Sequence, residues 1–222
     1  MTWSHLAWVA GAYVAGTLPS AWLVSRSRNA NRVIDSARRT EGEADAHLLM
    51  RAQLGMGWAA VAAVADVLKA LLVVLAAREW GGLSNAWLAA TGVAVVAGHA
   101  FPFYRRAMAG RGVAAAAGVL LVVLPLEMAI AGALIVAGVV LRATSLATTV
   151  GLASVPVVAA VRGQPGPFVA LAVVLFALII GRRLQGVGGV VRRGLRPGRA
   201  VWYRAVFDSS GPPPPPRAPG SP

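Results

Sequence analysis

Gly110-Arg111-Gly112 is a glycine–basic–glycine turn placed directly before an apolar run that opens with Val113. At a helix N-terminus such a turn offers free backbone N–H groups, the positive end of a helix dipole and a guanidinium that can hold an oxyanion through two parallel bonds. The chemistry it suits is phosphate binding; the plain alternative is a basic loop at a membrane face. The preceding apolar run closes on Gly98-His99-Ala100-Phe101-Pro102. His99 is either a base beside such a site or a hydrogen-bonded structural histidine. Asp66 and Lys69 stand three residues apart in another apolar run and so share one helix face. Charges inside a bilayer face the bundle interior. The pair is therefore either an ion pair that locks the packing or one wall of a polar cavity. Thr17 and Ser20 flank Pro19 in the first apolar run. Their hydroxyls either satisfy backbone groups freed by the proline or face a substrate.

These residues sit in a chain of 222 residues that is 57% apolar and 13% charged, with a mean hydropathy of +0.66. Soluble domains carry about 25% charged residues, so a soluble or disordered protein is excluded and a polytopic membrane protein is expected. The absence of cysteine rules out disulfides, thiolate metal sites and cysteine nucleophiles. His5, His47 and His99 are far apart in sequence, which argues against a histidine-rich metal centre. The net charge of +13 comes from arginines clustered between apolar runs. That placement matches anionic headgroups and the positive-inside rule rather than nucleic acid.

The elements that must position the site are all-α. Apolar runs cover Trp3–Ser25, Leu54–Ala77 and Leu83–Tyr104. Gly112–Leu141 would be ~45 Å long as one helix, well beyond a hydrocarbon core of about 30 Å. Pro125 lies at its middle, so two short spans joined by a tight turn are expected there. Ala143–Val161 and Pro165–Gly181 complete a bundle of about seven spans. No basic residue precedes the first run and five arginines follow it closely, so it is expected to be an uncleaved helix with its N-terminus outside. With the C-terminus in the cytoplasm, 18 arginines fall on the inner side and two, Arg78 and Arg162, on the outer. Glu127 then lies on the outer side and receives no role. The expected organisation is a helical bundle over 1–181, a basic cytoplasmic segment over 182–207, and a proline-rich disordered tail over 208–222.

Several motifs together resemble the acyl-phosphate:glycerol-3-phosphate acyltransferase (PlsY) family. They are Gly16-Thr17-Leu18-Pro19, Leu54-Gly55, Asp66-Val67-Leu68-Lys69, Gly98-His99-Ala100-Phe101-Pro102, Gly110-Arg111-Gly112-Val113-Ala114 and Ser145-Leu146-Ala147, in family order from about residue 9 to 185. The resemblance implies a seven-helix enzyme of the bacterial plasma membrane, with its site facing the cytoplasm. Its activity would be transfer of an acyl chain from acyl phosphate to the 1-hydroxyl of glycerol 3-phosphate. The products would be lysophosphatidate and phosphate, in the first acylation of phospholipid synthesis. It implies no metal, no nucleotide cofactor and no nucleic-acid partner; membrane phospholipid is the expected surrounding, and the oligomeric state is left open. Carried over by motif, Thr17, Arg51, Gly110, Arg111, Gly112, Ser145 and Arg182 would bind substrate, and His99 would be the one histidine placed to act as a base.

The sequence departs from the family where a glycine-rich loop is expected. Glu41-Gly42-Glu43-Ala44-Asp45-Ala46-His47 stands there with three acids. Arg51 matches only with a one-residue shift. Met108 replaces the first lysine of the glycine–lysine turn, Ala115 a threonine, and Arg182-Arg183-Leu184-Gln185-Gly186 keeps one arginine of the last motif. The alternative expectation is accordingly a catalytically impaired relative that binds lipid or a partner.

Overall fold

The computed structural model describes residues 3–30, 32, 46–104, 110–192 and 194–208. The acidic stretch 41–45, Met108 and the proline-rich residues 209–222 lie outside the described residues. Among those described, every regular element is a helix. The first apolar run is two helices, α1 (Trp3–Gly16) and α2 (Ser20–Ser27). Pro19 has no N–H, and its ring disfavours helix at the preceding residue, so the run breaks at Thr17–Pro19. Short α3 (Ala46–Leu54) leads through Gly55, at φ 90°, into α4 (Met56–Trp80). The latter has 25 residues and is about 38 Å long.

Next comes α5 (Asn85–Ala100), the hub of the bundle: ten of its 16 residues are buried. A helix apolar on all sides belongs in an interior, and α5 packs against α1, α4, α9 and the following helix α6. The run from 112 to 141 divides into α6 (Val113–Val123) and α7 (Pro125–Val140) at Leu124, which leaves helical geometry at φ −139° and ψ 59°. Pro125 takes the first helical position, where its missing N–H costs nothing. Arg142, at φ 58°, turns the chain from α7 into α8 (Thr144–Val161), and the two pack as an antiparallel hairpin. Then follow α9 (Gly166–Leu184), α10 (Val187–Arg192) and α11 (Pro197–Phe207).

Four helical stretches among the described residues are long and apolar enough to cross a bilayer: 3–27, 56–80, 144–161 and 166–192; α6 and α7 are apolar but shorter. Lipid supplies no hydrophobic force between helices, so association rests on close packing through small residues. Alanine and valine dominate the core. At Gly16 an added Cβ would lie 2.9 Å from the Val95 carbonyl carbon, and at Gly98 it would lie 3.0 Å from that of Tyr13. Gly118 meets the backbone of Val67 and Leu71 in the same way. Backbone therefore touches backbone where α1 crosses α5 and where α6 crosses α4.

The last helix, α11, rests on α8, α9 and α10. Thr149 Oγ1 donates to the Val206 carbonyl at 2.9 Å, an Arg183 guanidinium nitrogen to Ala205 O at 3.0 Å, and Arg204 Nε to Arg183 O at 3.0 Å.

Candidate active site

A buried polar network lies under the end of α5. Asp66 is 1% exposed. Its Oδ1 accepts from Ser20 Oγ at 2.8 Å and pairs with Lys69 Nζ at 2.7 Å. The Lys69 ammonium also donates to Leu18 O at 2.7 Å and lies 3.1 Å from His99 Nδ1. Asp66 Oδ1 is 3.3 Å from the same nitrogen. Asp66 and Lys69 thus fix one edge of the imidazole, while Ala63, one turn earlier on α4, reaches the cavity beyond it. They do not line that cavity themselves. Of the two readings left open by the sequence, the pair stands behind the cavity and holds His99. When Nδ1 of a neutral ring accepts from the lysine, Nε2 carries the proton. That edge lies against Gly110: a Cβ there would sit 2.6 Å from His99 Cε1 and closer still to Nε2.

Arg111 and Gly112 of the turn line a cavity of about 400 Å³, a volume in the range of small-molecule sites. Gly112, at φ 88°, lets the chain swing into α6, and its carbonyl takes the Ala116 N–H at 2.8 Å. His99, Arg111, Gly112, Ser145, Arg183 and Asp208 are among the lining residues. Four helix ends converge there: the last turn of α5, the first turns of α6 and α8, and the last turn of α9. Two helix N-termini and two buried guanidiniums create a positive field at the cavity, which favours an anion. Arg111 pairs with Asp208, and Arg183 Nε is 4.0 Å from the other carboxylate oxygen. Arg183 also donates to Thr149 Oγ1 at 2.6 Å.

The expected site residues divide accordingly. His99, Arg111, Gly112 and Ser145 meet at the cavity, and Gly110 packs on His99. Arg182 does not line it. Its Nε donates to Gly110 O at 3.4 Å, it bonds Gln185, and its guanidinium covers the Phe101 ring at 5.3 Å. It fastens α9 to the turn from behind. Thr17 Oγ1 donates to Val14 O at 2.6 Å, closing the end of its own helix, while its carbonyl accepts from Tyr104 at 2.8 Å. Arg51 is exposed on α3 and is absent from the cavity wall. Arg183 was missed, although Leu171, Leu175, Ile179 and Arg183 continue one buried stripe at four-residue steps. Asp208 was also missed, and only its charge marked it. Glu127 is buried at the opposite end of the bundle, where it accepts from Arg162 at 2.6 Å and Gln164 at 3.0 Å.

The model of the glycerol-3-phosphate acyltransferase family matches residues 6–191. The chain belongs to that family. A glycerol-3-phosphate acyltransferase of Rubrobacter xylanophilus is 32% identical over 182 residues, covering 81% of this chain and 88% of the relative. One from Geotalea daltonii is 30% identical over 185 residues, covering 83% and 92%. The crystal structure of PlsY (YgiH), an integral membrane glycerol 3-phosphate acyltransferase, in its glycerol 3-phosphate form superposes with a TM-score of 0.71 at 25% identity, over 87% of this chain and 94% of that one. The fold of its lysophosphatidic acid form is similar, with a TM-score of 0.69. The acyltransferase family match stops before α11, so Asp208 reaches the cavity from outside the matched region.

Proposed function

We propose that this glycerol-3-phosphate acyltransferase takes its acyl group from acyl phosphate, at a site facing the cytoplasm of a bacterial plasma membrane. The single observation that carries the reading is the convergence of Arg111, Arg183 and two helix N-termini on one cavity at an end of an apolar bundle. That end carries Arg111, Arg182, Arg183 and Arg204, which supports placing it inside. Arg78 and the Glu127–Arg162 pair mark the other end. The whole chain then crosses with its N-terminus outside.

In the reaction the 1-hydroxyl oxygen of glycerol 3-phosphate bonds to the acyl carbonyl carbon. The acyl–phosphate C–O bond breaks, phosphate leaves with the electron pair, and the hydroxyl proton ends on the phosphate. Acyl phosphate already holds a good leaving group, so positioning and charge stabilisation suffice. Arg111 and Arg183 neutralise phosphate oxygens, and the amides of the turn at Gly110–Gly112 add donors. Ser145 orients the polar end of a substrate. His99, with Nδ1 between Lys69 and Asp66, presents its Nε2 edge beside the turn at Gly110, where it exchanges a hydrogen bond with substrate. The acyl chain lies between helices in lipid.

Arg111→Ala tests the assignment. Charge-assisted bidentate contacts to phosphate are worth about 1.5–3 kcal/mol each, so kcat/KM falls by about a hundredfold. Arg111→Lys recovers part of it. The assay is lysophosphatidate formation from a long-chain acyl phosphate and labelled glycerol 3-phosphate by purified protein in lipid. Wild-type turnover by a folded Arg111→Ala protein refutes the site.

A further inference from the structure

We infer that Asp208 is a resident competitor for the substrate phosphate. Its carboxylate sits on the guanidiniums that a phosphate needs, and α11 holds it there. The inference rests on the phosphate-binding role proposed above for Arg111 and Arg183.

Three observations carry it. The first is place. Asp208 lines the cavity, pairs with Arg111 through Oδ1, and brings Oδ2 to 4.0 Å from Arg183 Nε. Arg111 is 7% exposed and Arg183 3%, and both line this cavity, which gives an anion a route to them. The second is anchorage. The three hydrogen bonds to Val206, Ala205 and from Arg204 tie the end of α11 to α8 and α9. Gly186 leaves room for the Arg204 guanidinium, because an added Cβ would lie 2.6 Å from its Cζ. The third is backbone direction. Asp208 caps α11 in the left-handed region, at φ 51° and ψ 35°, and its N–H bonds Tyr203 O. A residue in the left-handed region ends a helix, and the Asp208 carboxylate at that end pairs with Arg111.

A carboxylate carries one negative charge and two oxygens. A phosphate monoester carries nearly two charges and three oxygens, so it can displace the carboxylate from the arginines. Monoanions lack that advantage. The contact therefore raises the concentration at which substrate fills the site and sharpens the preference for dianions. If the carboxylate occupies the site about nine-tenths of the time, apparent affinity drops about tenfold.

The test compares the full chain with Asp208→Asn, which keeps shape and removes charge. The expected result is a KM for glycerol 3-phosphate about tenfold lower than wild type, with inorganic phosphate binding tightened by the same factor in calorimetry. Asp208→Glu, which keeps the charge, stays near wild type. Arg204→Ala loosens α11, and with it the hold on Asp208, without substituting Asp208 or a cavity residue. It shifts phosphate affinity in the same direction and gives the readout if Asp208→Asn does not fold. A KM and phosphate affinity in Asp208→Asn that are equal to or weaker than wild type overturn the inference; a structural clamp gives that result together with a lower melting temperature. If neither protein transfers acyl groups, the proposed function fails, and phosphate calorimetry still decides the competitor. Tighter binding by the Asn variant supports it, and equal, weaker or absent binding sinks it.

Discussion

Gly110→Ala puts the geometry of the turn to a quantitative test. An alanine Cβ would press on the edge of His99, 2.6 Å from Cε1 and 3.1 Å from Cδ2. The ring cannot retreat freely, since Nδ1 is held between Lys69 at 3.1 Å and Asp66 at 3.3 Å. Forcing one carbon into a packed site costs about 1–3 kcal/mol. Breaking the lysine–imidazole bond to relieve it costs about 1 kcal/mol more. The variant is therefore destabilised by about 2–4 kcal/mol, and acyl transfer falls because the turn carrying Arg111 must move. The decisive measurement is a double-mutant cycle with His99→Ala, read by unfolding in detergent. Without the imidazole the added methyl has space, so the second substitution costs less than about 0.5 kcal/mol. The coupling energy is then about 1.5–4 kcal/mol. Additive effects would mean that Gly110 and His99 do not touch, and the positioning argument would be wrong.

Lys69→Met leaves Asp66 buried without its ammonium partner and is expected to cost about 3–5 kcal/mol; adding Asp66→Asn should restore part of that, measured as the thermal midpoint of each purified variant. Gly98→Val drives a branched side chain into the Tyr13 backbone, which cannot yield. It should abolish the monodisperse peak in size-exclusion chromatography, whereas Gly11→Ala, with nothing within 4 Å, should leave it unchanged.

Much of the scaffold was legible because bilayers impose simple rules. Runs of apolar residues gave the helices, and Pro125 marked the division between α6 and α7 through the length limit and the missing N–H. The partnership of Asp66 and Lys69 followed from helical spacing, but their third partner did not. His99 lies 30 residues from Lys69, on another helix, and only the packing of α4 on α5 brings them together. The arginine pair shows the limit more sharply. Motif position favoured Arg182, yet a step of about 100° along α9 separates the side chain that backs the turn from the one that faces the cavity. Asp208 was illegible for a different reason. It is the first residue of a segment whose composition suggested a free tail, and its place depends on α11 docking on α8 and α9.

The interruption at Thr17–Pro19 has a consequence for biogenesis. It leaves the Leu18 carbonyl outside a helical ladder, and the ammonium from the middle of α4 takes it. A lysine halfway along a lone span costs about 2.5–3.5 kcal/mol on insertion. The ribosome delivers the first span before the second, so the acceptor is already waiting when the lysine arrives. The two segments should enter the bilayer as a co-dependent pair, and neither is an independent unit of integration.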